Sequence, residues 1–111
     1  MIARTWGGKV PLEHGSGFHR HLLDTGVRDY QRVSGCLEIK ILRRDAEGWA
    51  HFLLFSVWES WDAIRAYAGD APETAVLYPD DERFGLVPDL TTSHYEVGYS
   101  TSSLRQGDSR T

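Results

Sequence analysis

The sequence predicts an α+β domain in which helices cover one face of a four-stranded antiparallel sheet. Three observations lead to this fold class. The pattern runs strand, helix, strand, strand, helix, strand; a short turn joins the two middle strands; and one of those strands is apolar on both faces. With 111 residues the chain has the length of one domain. We expect residues 1–99 to form that domain and the polar residues 100–111 to be a disordered tail.

A strand and a helix make up the first part of the chain. Residues 2–7, IARTWG, alternate between two faces, and one face carries Ile2, Arg4 and Trp6. The two glycines that follow are expected to end this strand. A helix is expected between residues 11 and 30, and its start can lie at Ser16, because serine is a good N-cap.

A hairpin forms the middle of the predicted sheet. Residues 36–44 alternate as a half-buried strand, and the turn DAEG, with Gly48 free to take a positive φ, leads into residues 49–58. Helices can cover only one face of a sheet that is apolar on both, so we expect a second copy of the chain to cover the other and the protein to be a homodimer. The second strand carries Phe52, Leu54 and Trp58 on one face and Leu53, Phe55 and Val57 on the other.

The remaining elements complete the predicted order. Ser60 is a good N-cap for a helix that ends at Gly69, and Asp70 is expected to cap a further helical turn. A loop then leads to a last strand at residues 92–99. The resulting β-α-β-β-α-β order is the ferredoxin-like arrangement.

Charge and composition exclude several classes of function. The net charge is −4 and the 12 basic residues are scattered, so no nucleic-acid partner is expected. The longest apolar run, FLLF, is too short to cross a membrane, and residues 1–10 lack the apolar core of a signal peptide; we therefore expect a cytoplasmic protein. Aromatic residues make up 12% of the chain, which favours a pocket lined with rings.

No metal site is expected. The single cysteine, Cys36, excludes both a disulfide within the chain and a multi-cysteine metal site. His51 and His94 lie far apart in the sequence and have no cysteine or carboxylate at the spacing of metal ligands.

Five segments, taken in order, carry a resemblance to a known family. They are LLDTGVRDYQRVSG, LRR, HFLLFSVWESWDAIRAYAG, ETAVLYPDDERF and HYEV, and the resemblance covers nearly the whole chain up to Val97. Together they resemble the antibiotic biosynthesis monooxygenase family. The resemblance implies a dimeric α+β barrel with a pocket between the sheet and the helices of each subunit. It also implies oxygenation of phenols and quinols without a cofactor, while other members of the family bind and degrade haem.

The resemblance also assigns positions to this sequence. The oxygenase members use a junction tryptophan, which is Trp58 here, but they have an asparagine and a tyrosine where this chain has Leu54 and Ile64. The haem-degrading members use an asparagine, a tryptophan and a ligand histidine, and this chain has in their places Arg4, Tyr67 and Leu77. The resemblance thus argues against haem, and no cofactor is expected.

His19 is the candidate catalytic base. On an ideal helix it lies at the centre of the inward stripe, whereas His14 and His21 point outward. A neutral imidazole can take a phenolic proton near pH 7. The alternative is a core histidine with a satisfied hydrogen bond.

Arg4 is the second candidate catalytic residue. It lies in the middle of the first strand on the same face as Trp6, where it could stabilise an anion or enolate. The alternative is an ion pair with Glu96 or another acid.

Five residues are candidates for binding the substrate: Trp58, Trp6, Tyr67, Tyr78 and Leu54. Trp58 either stacks on an aromatic ligand or fills the core where strand meets helix, and Trp61 is interpreted as packing. The preferred hypothesis is a cofactor-independent monooxygenase of a small aromatic, polyketide-like or quinol-like molecule. The alternative is a non-catalytic small-molecule-binding or stress-related protein of the same fold.

Overall fold

A computed structural model of the protein describes residues 1–101. The order across its antiparallel sheet is β2-β3-β1-β4. The strand β5 pairs with the same edge of β1 as β4 does, but at the opposite end of that edge. The predicted α+β class and ferredoxin-like order are therefore confirmed. Residues 102–111 of the predicted tail lie outside the described residues. The strands are β1 (Ile2–Pro11), β2 (Cys36–Ala46), β3 (Trp49–Trp58), β4 (Val87–Pro88) and β5 (Ser93–Glu96).

β1 does not end at the two glycines, so that prediction is wrong. Gly7 and Gly8 continue the strand because their neighbours approach too closely for a side chain. A Cβ on Gly7 would lie 2.8 Å from Oδ2 of Asp89, and one on Gly8 would lie 3.1 Å from the ring of Trp6. The glycines thus let the Trp6 ring and the chain after β4 lie against the strand.

The fourth position of the sheet is filled by two short strands. β5 is shorter than the predicted 92–99, and β4 occupies the far end of the same edge. Between β4 and β5 the chain does not pair with β1. In this interval the carbonyl of Asp89 accepts a hydrogen bond from the indole Nε1 of Trp6 over 2.8 Å.

A single helical segment crosses the inner face of the sheet. It comprises a 3-10 turn (Leu12–His14), α1 (Gly15–Leu22), a π-helical turn (Leu23–Val27) and α2 (Arg28–Gln31). Because the segment begins at Leu12, Ser16 does not cap it. The buried stripe runs through Gly15, Phe18, Leu22, Gly26 and Tyr30.

α3 (Trp61–Ala68) begins and ends as predicted. The hydroxyl of Ser60 accepts a hydrogen bond from the backbone N–H of Ala63 over 3.1 Å, and Gly69 ends the helix with φ of 82°. A good cap and a glycine with positive φ are strong local signals, which explains why both ends of this helix could be predicted from the sequence.

The segment after α3 differs from the prediction. No helix lies within residues 70–78, and Thr74 instead forms an isolated bridge with Thr91. A 3-10 turn, Pro79–Phe84, follows and leads to β4.

The two faces of the sheet have different surroundings. The inner face lies under the helices and carries the buried core, including Val10, Phe52, Leu54 and Trp58. The outer face leaves apolar side chains in contact with solvent: Leu42 is 46% exposed and Leu53 is 39% exposed. None of the helices found in residues 1–101 is long and apolar enough to span a membrane.

Candidate functional site

A cavity lies between the inner face of the sheet and the helices. Its volume is about 20 Å³, which is room for one water molecule. The sheet contributes Arg4, Trp6 and Leu54, the helical segment contributes Thr25, Gly26 and Tyr30, and the C-terminal part contributes Tyr67, Val76, Tyr78, Asp81 and Thr92.

Arg4 is the central group of this cavity. It is only 2% exposed, and no carboxylate in residues 1–101 forms an ion pair with it. Its NH1 donates to the hydroxyl of Tyr30 over 2.7 Å, and its NH2 donates to the carbonyl of Pro72 over 3.4 Å. The guanidinium also lies 5.6 Å from the centroid of the Tyr67 ring. A buried cation without a charged partner is unfavourable, and an anion bound beside it would relieve that cost.

Three tyrosines line the cavity, and two of them, Tyr30 and Tyr67, lie beside the guanidinium. Burial raises the pKa of Tyr30, against the opposing effect of Arg4, and burial also raises the pKa of Tyr67 and Tyr78. Hydrogen bonds to Tyr67 and Asp29 add to the rise at Tyr78. All three hydroxyls therefore stay protonated near neutral pH and serve as hydrogen-bond donors rather than as bases.

The outer wall of the cavity is held by hydrogen bonds to Tyr78. Its hydroxyl donates to Oδ2 of Asp29 over 2.7 Å and lies 3.1 Å from the hydroxyl of Tyr67. Its backbone N–H donates to Oδ2 of Asp81 over 2.8 Å. Tyr78 is thus fixed at both ends and closes the cavity on the side away from the sheet.

An outer groove lies on the far side of that wall. Its volume is about 640 Å³, and it shares Tyr67, Val76 and Tyr78 with the cavity. The cavity and the groove are therefore separated by three side chains.

The π-helical turn adjoins the cavity and makes room in it. Gly26 takes the inward position of this turn, and a Cβ there would lie 3.7 Å from Leu54 and 3.9 Å from Tyr78. The hydroxyl of Thr25 donates to the carbonyl of His21 over 2.8 Å. Such turns occur frequently at functional sites.

His19 does not lie in the cavity. The structure places it on the exposed side of α1, so the predicted inward orientation is wrong. The buried stripe contains Phe18 in the place predicted for His19, whereas Leu22 faces inward as the helical wheel predicts. His21, predicted to face outward, packs instead on the ring of Phe84 at 4.9 Å and forms a 2.7 Å hydrogen bond to Asp81.

The other predicted site residues divide into two groups. Trp58 is fully buried in the core, and its Nε1 donates to the hydroxyl of Ser56 over 2.8 Å. Its ring lies behind the cavity wall, 5.2 Å from the ring of Tyr30, so it does not line the cavity. The residues that do line it are Arg4, Trp6, Leu54, Tyr67 and Tyr78.

Two further residues belong to this region although sequence patterns do not single them out. Tyr30 is visible in the sequence only as the end of the inward stripe, yet it holds Arg4. From the sequence, His94 is considered only as a metal ligand, and its position opposite Arg4 requires the register of β5 on β1. No group of three or more histidine, cysteine or acidic side chains in the described part of the chain is placed to hold a metal ion.

The architecture is shared with known structures. One is a candidate antibiotic biosynthesis monooxygenase from Deinococcus radiodurans, with a TM-score of 0.62 and 19% identity over 92% of this chain and 97% of that one. The chain has the antibiotic biosynthesis monooxygenase fold. No protein-family model and no curated protein matches the sequence.

Two more structures with this fold differ in the ligand or reaction with which they are described. One is a point mutant of MhuD with two manganese protoporphyrin IX molecules bound per active site, at a TM-score of 0.61 and 18% identity over 92% of this chain and 99% of that one. The other is a point mutant of SnoaB, a cofactor-independent oxygenase from Streptomyces nogalater, at a TM-score of 0.55 and 10% identity over 89% and 96%. The antibiotic biosynthesis monooxygenase fold thus accommodates both haem-like ligands and cofactor-independent oxygenation.

Proposed function

We propose that the protein belongs to the antibiotic biosynthesis monooxygenase family and oxygenates a small acidic aromatic molecule without a cofactor. The observation that supports this most directly is Arg4, a buried guanidinium without a carboxylate partner in residues 1–101, in a cavity whose lining includes four aromatic side chains. A phenolate or enolate would supply the missing negative charge, and rings such as those of Trp6 and Tyr67 would pack on its aromatic part.

The proposed reaction needs no external electrons. Loss of the phenolic proton gives an electron-rich anion whose negative charge is shared with a ring carbon. That carbon reacts with dioxygen and forms a carbon–oxygen bond, and the distal oxygen then leaves as water. A methylene carbon of the substrate becomes a carbonyl, one atom of dioxygen enters the product, and the substrate supplies all the electrons. Arg4 stabilises the anion that forms in the first step.

The ligand must enter by movement of the outer wall. The cavity holds about 20 Å³, whereas pockets for drug-sized ligands have roughly 300–1,000 Å³. The outer groove of about 640 Å³ is separated from it by Tyr67, Val76 and Tyr78. Rotation of these side chains would join the two spaces, and it requires the Tyr78 hydroxyl to leave its hydrogen bonds with Asp29 and Tyr67. Residues 70–78, which carry Val76 and Tyr78, contain no helix that would resist such a movement.

Oxygen uptake tests the proposal. Anthrone-like compounds, which carry the methylene carbon that the reaction needs, are supplied to the purified protein in the presence of a chelator. We expect one dioxygen consumed per quinone formed and no loss of rate with the chelator. Binding of these compounds without oxygen uptake would refute the oxygenase.

The second candidate function is binding without catalysis. The observation that favours it is the apolar character of two positions that are polar in the oxygenase members: Leu54 lines the cavity and Ile64 is fully buried in the core. A ligand would then be held by Arg4 and the rings but not turned over. Tight binding of a phenol in the absence of oxygen uptake distinguishes this function from the first.

A specific haem site is not part of the proposal. The position of the ligand histidine is Leu77, which is 43% exposed and cannot coordinate iron. Titration with haem is expected to give a weak Soret change without one-to-one saturation. Sharp saturation at one haem per chain would contradict this expectation.

We also propose that two copies of the chain associate through the outer face of the sheet. Leu42 and Leu53 lie next to each other in the β2–β3 register and are both exposed. A stable interface between copies buries such apolar groups. Light scattering is expected to give about twice the chain mass of 12.6 kDa, and a Leu53→Lys variant is expected to shift toward the monomer.

A further inference from the structure

Two buried side-chain nitrogen atoms in residues 1–101 have no hydrogen-bond partner: Nε of Arg4 and Nε2 of His94. More than about 90% of buried polar atoms in proteins are paired, so each exception calls for a physical reason. These two exceptions are neighbours. Arg4 and His94 are directly opposite each other in the β1–β5 ladder, where side chains on the same face have Cβ atoms roughly 4.5–5.5 Å apart.

The pair lies next to the cavity. Thr92 lines the cavity two residues before His94, and its hydroxyl donates to the same Pro72 carbonyl that accepts from Arg4. On the other side the ring of Trp61 packs on the imidazole with the centroids 4.9 Å apart. The two nitrogen atoms are thus enclosed by the sheet, α3 and the segment that ends at Pro72.

The two atoms are complementary in hydrogen bonding. Nε of Arg4 always carries a hydrogen and can only donate. Burial, and next the charge of Arg4, lower the pKa of His94, while Glu73 acts in the opposite direction. His94 is therefore neutral at pH 7, and in the tautomer with hydrogen on Nδ1 its Nε2 accepts a hydrogen bond.

A hydroxyl group placed between the two atoms would satisfy both at once, since its oxygen would accept from Arg4 and its hydrogen would be donated to His94. A carbonyl or an ether has no hydrogen for His94, and an ammonium group has no lone pair for Arg4. The requirement selects hydroxyl compounds, and among them the acidic ones that Arg4 favours as anions.

We propose that Arg4 and His94 form a hydroxyl-binding position that holds the phenolic group of an aromatic ligand and takes its proton onto Nε2 of His94. The O–H bond of the ligand breaks, an N–H bond forms on the imidazole, and the phenolate oxygen keeps the electron pair beside the Arg4 guanidinium. The phenolate then separates two cations that would otherwise repel. His94 replaces the exposed His19 as the base. The inference rests on the proposed class of ligand but does not require its oxygenation.

4-Nitrophenol provides the test because its ionised form absorbs visible light. Full-length wild-type protein is titrated with it between pH 5 and 8, and the ionised fraction of the bound probe is read from the spectrum. We expect the bound probe to be ionised at lower pH than the free probe. His94→Gln should lose most of that shift and bind about tenfold more weakly, since a hydrogen bond to a charged group is removed. His19→Gln is the matched control and should behave like the wild type.

Two results would overturn the proposal: an unchanged spectrum of the bound probe in His94→Gln, or no binding of the probe to the wild-type protein at millimolar concentration. A second measurement uses the wild-type protein, so that the test does not depend on the folding of a variant. Nitrogen NMR of the imidazole should show protonation of His94 Nε2 when 4-nitrophenol binds, and an unprotonated Nε2 in the complex would refute the proton transfer. Ionisation of the probe without oxygen uptake from anthrone-like compounds would refute the oxygenase and leave this inference standing.

Discussion

The two ends of the inner sheet face bury different kinds of side chain, apolar at one end and polar at the other. At the apolar end, Val10, Phe18 and Phe52 are each at most 3% exposed, and the rings of Phe18 and Phe52 pack on each other. At the polar end, below the same helical segment, Arg4 and His94 bring a buried charge and unpaired nitrogen atoms into the core. The first arrangement stabilises the fold and the second costs stability. Such a cost is expected at the polar end if the proposed site lies there.

The largest effect on stability is expected at the apolar end. Phe18 has no exposed surface and its ring lies 5.3 Å from that of Phe52 and 5.8 Å from that of Phe84. Phe18→Ala should lower the free energy of unfolding by about 3–5 kcal/mol, as measured by denaturant titration. Binding of 4-nitrophenol to the folded fraction should be unchanged. A loss below about 1 kcal/mol would show that this end is not the stabilising part of the core.

Arg4→Met tests the polar end. Turnover of an accepted phenol is expected to fall by about 100–1,000-fold, the size of effect seen when a transition-state donor is removed. The free energy of unfolding should change by less than about 2 kcal/mol, because removal of an unpaired charge opposes the loss of the hydrogen bond to Tyr30.

The exposed Arg43→Met is the control for this variant, since its guanidinium pairs with Asp45 at the surface. It should keep wild-type turnover. A stability loss in Arg4→Met as large as that of Phe18→Ala, with turnover retained, would show that both ends serve the fold.

Gly26→Ala should separate the effect on stability from the effect on ligand binding. The added methyl group makes ordinary contacts of 3.7 Å with Leu54 and 3.9 Å with Tyr78 and occupies the cavity. Unfolding is expected to require about 0.5–1 kcal/mol more, because glycine is unfavourable within a helical segment. Calorimetry should show weaker binding of 4-nitrophenol at the same time. Gln31→Ala on the exposed side of α2 should leave binding intact, and a stabilised Gly26→Ala that binds normally would place the ligand elsewhere.

The smallest expected effect is a change in the pH dependence of stability. The folded protein lowers the pKa of His94, so the unfolded chain binds more protons below the ordinary value of about 6.5. Stability from this residue is present above that pH and is lost as the pH falls below it. From pH 7 to pH 5 the wild type should therefore lose more unfolding free energy than His94→Gln does, as measured by denaturant titration at each pH. A difference between the two proteins that stays constant across this range would mean that His94 titrates normally.

The fold was more predictable from the sequence than the site. Strands β2 and β3 and helix α3 follow local signals, namely alternation, a turn glycine and the Ser60 cap, and these signals do not depend on distant residues. The extension of β1 through Gly7 and Gly8 could not be predicted, because it depends on the approach of Asp89 and of the Trp6 ring.

The histidines show why the site was harder. An ideal helical wheel correctly places Leu22, Gly26 and Tyr30 inward, but it also places His19 there, whereas the structure buries Phe18 in that turn and leaves His19 exposed. Arg4, Trp6, Leu54, Tyr67 and Tyr78 were found because they share a sheet face or face it from the C-terminal side. The position of His94 opposite Arg4 was not predicted, because it depends on the register between β1 and β5, which lie at opposite ends of the chain.

The division of the fourth strand into β4 and β5 bears on self-association at high concentration. A sheet edge with a long row of free N–H and C=O groups recruits strands from other molecules and starts fibrils. On this edge the ladder is only two residues long at β4 and four at β5, and the chain turns away between them. The opposite edge, β2, carries Lys40, Arg43, Arg44 and Asp45 in its sequence. Neither edge offers a long, uncharged row of free N–H and C=O groups to another strand, so fibril growth is disfavoured.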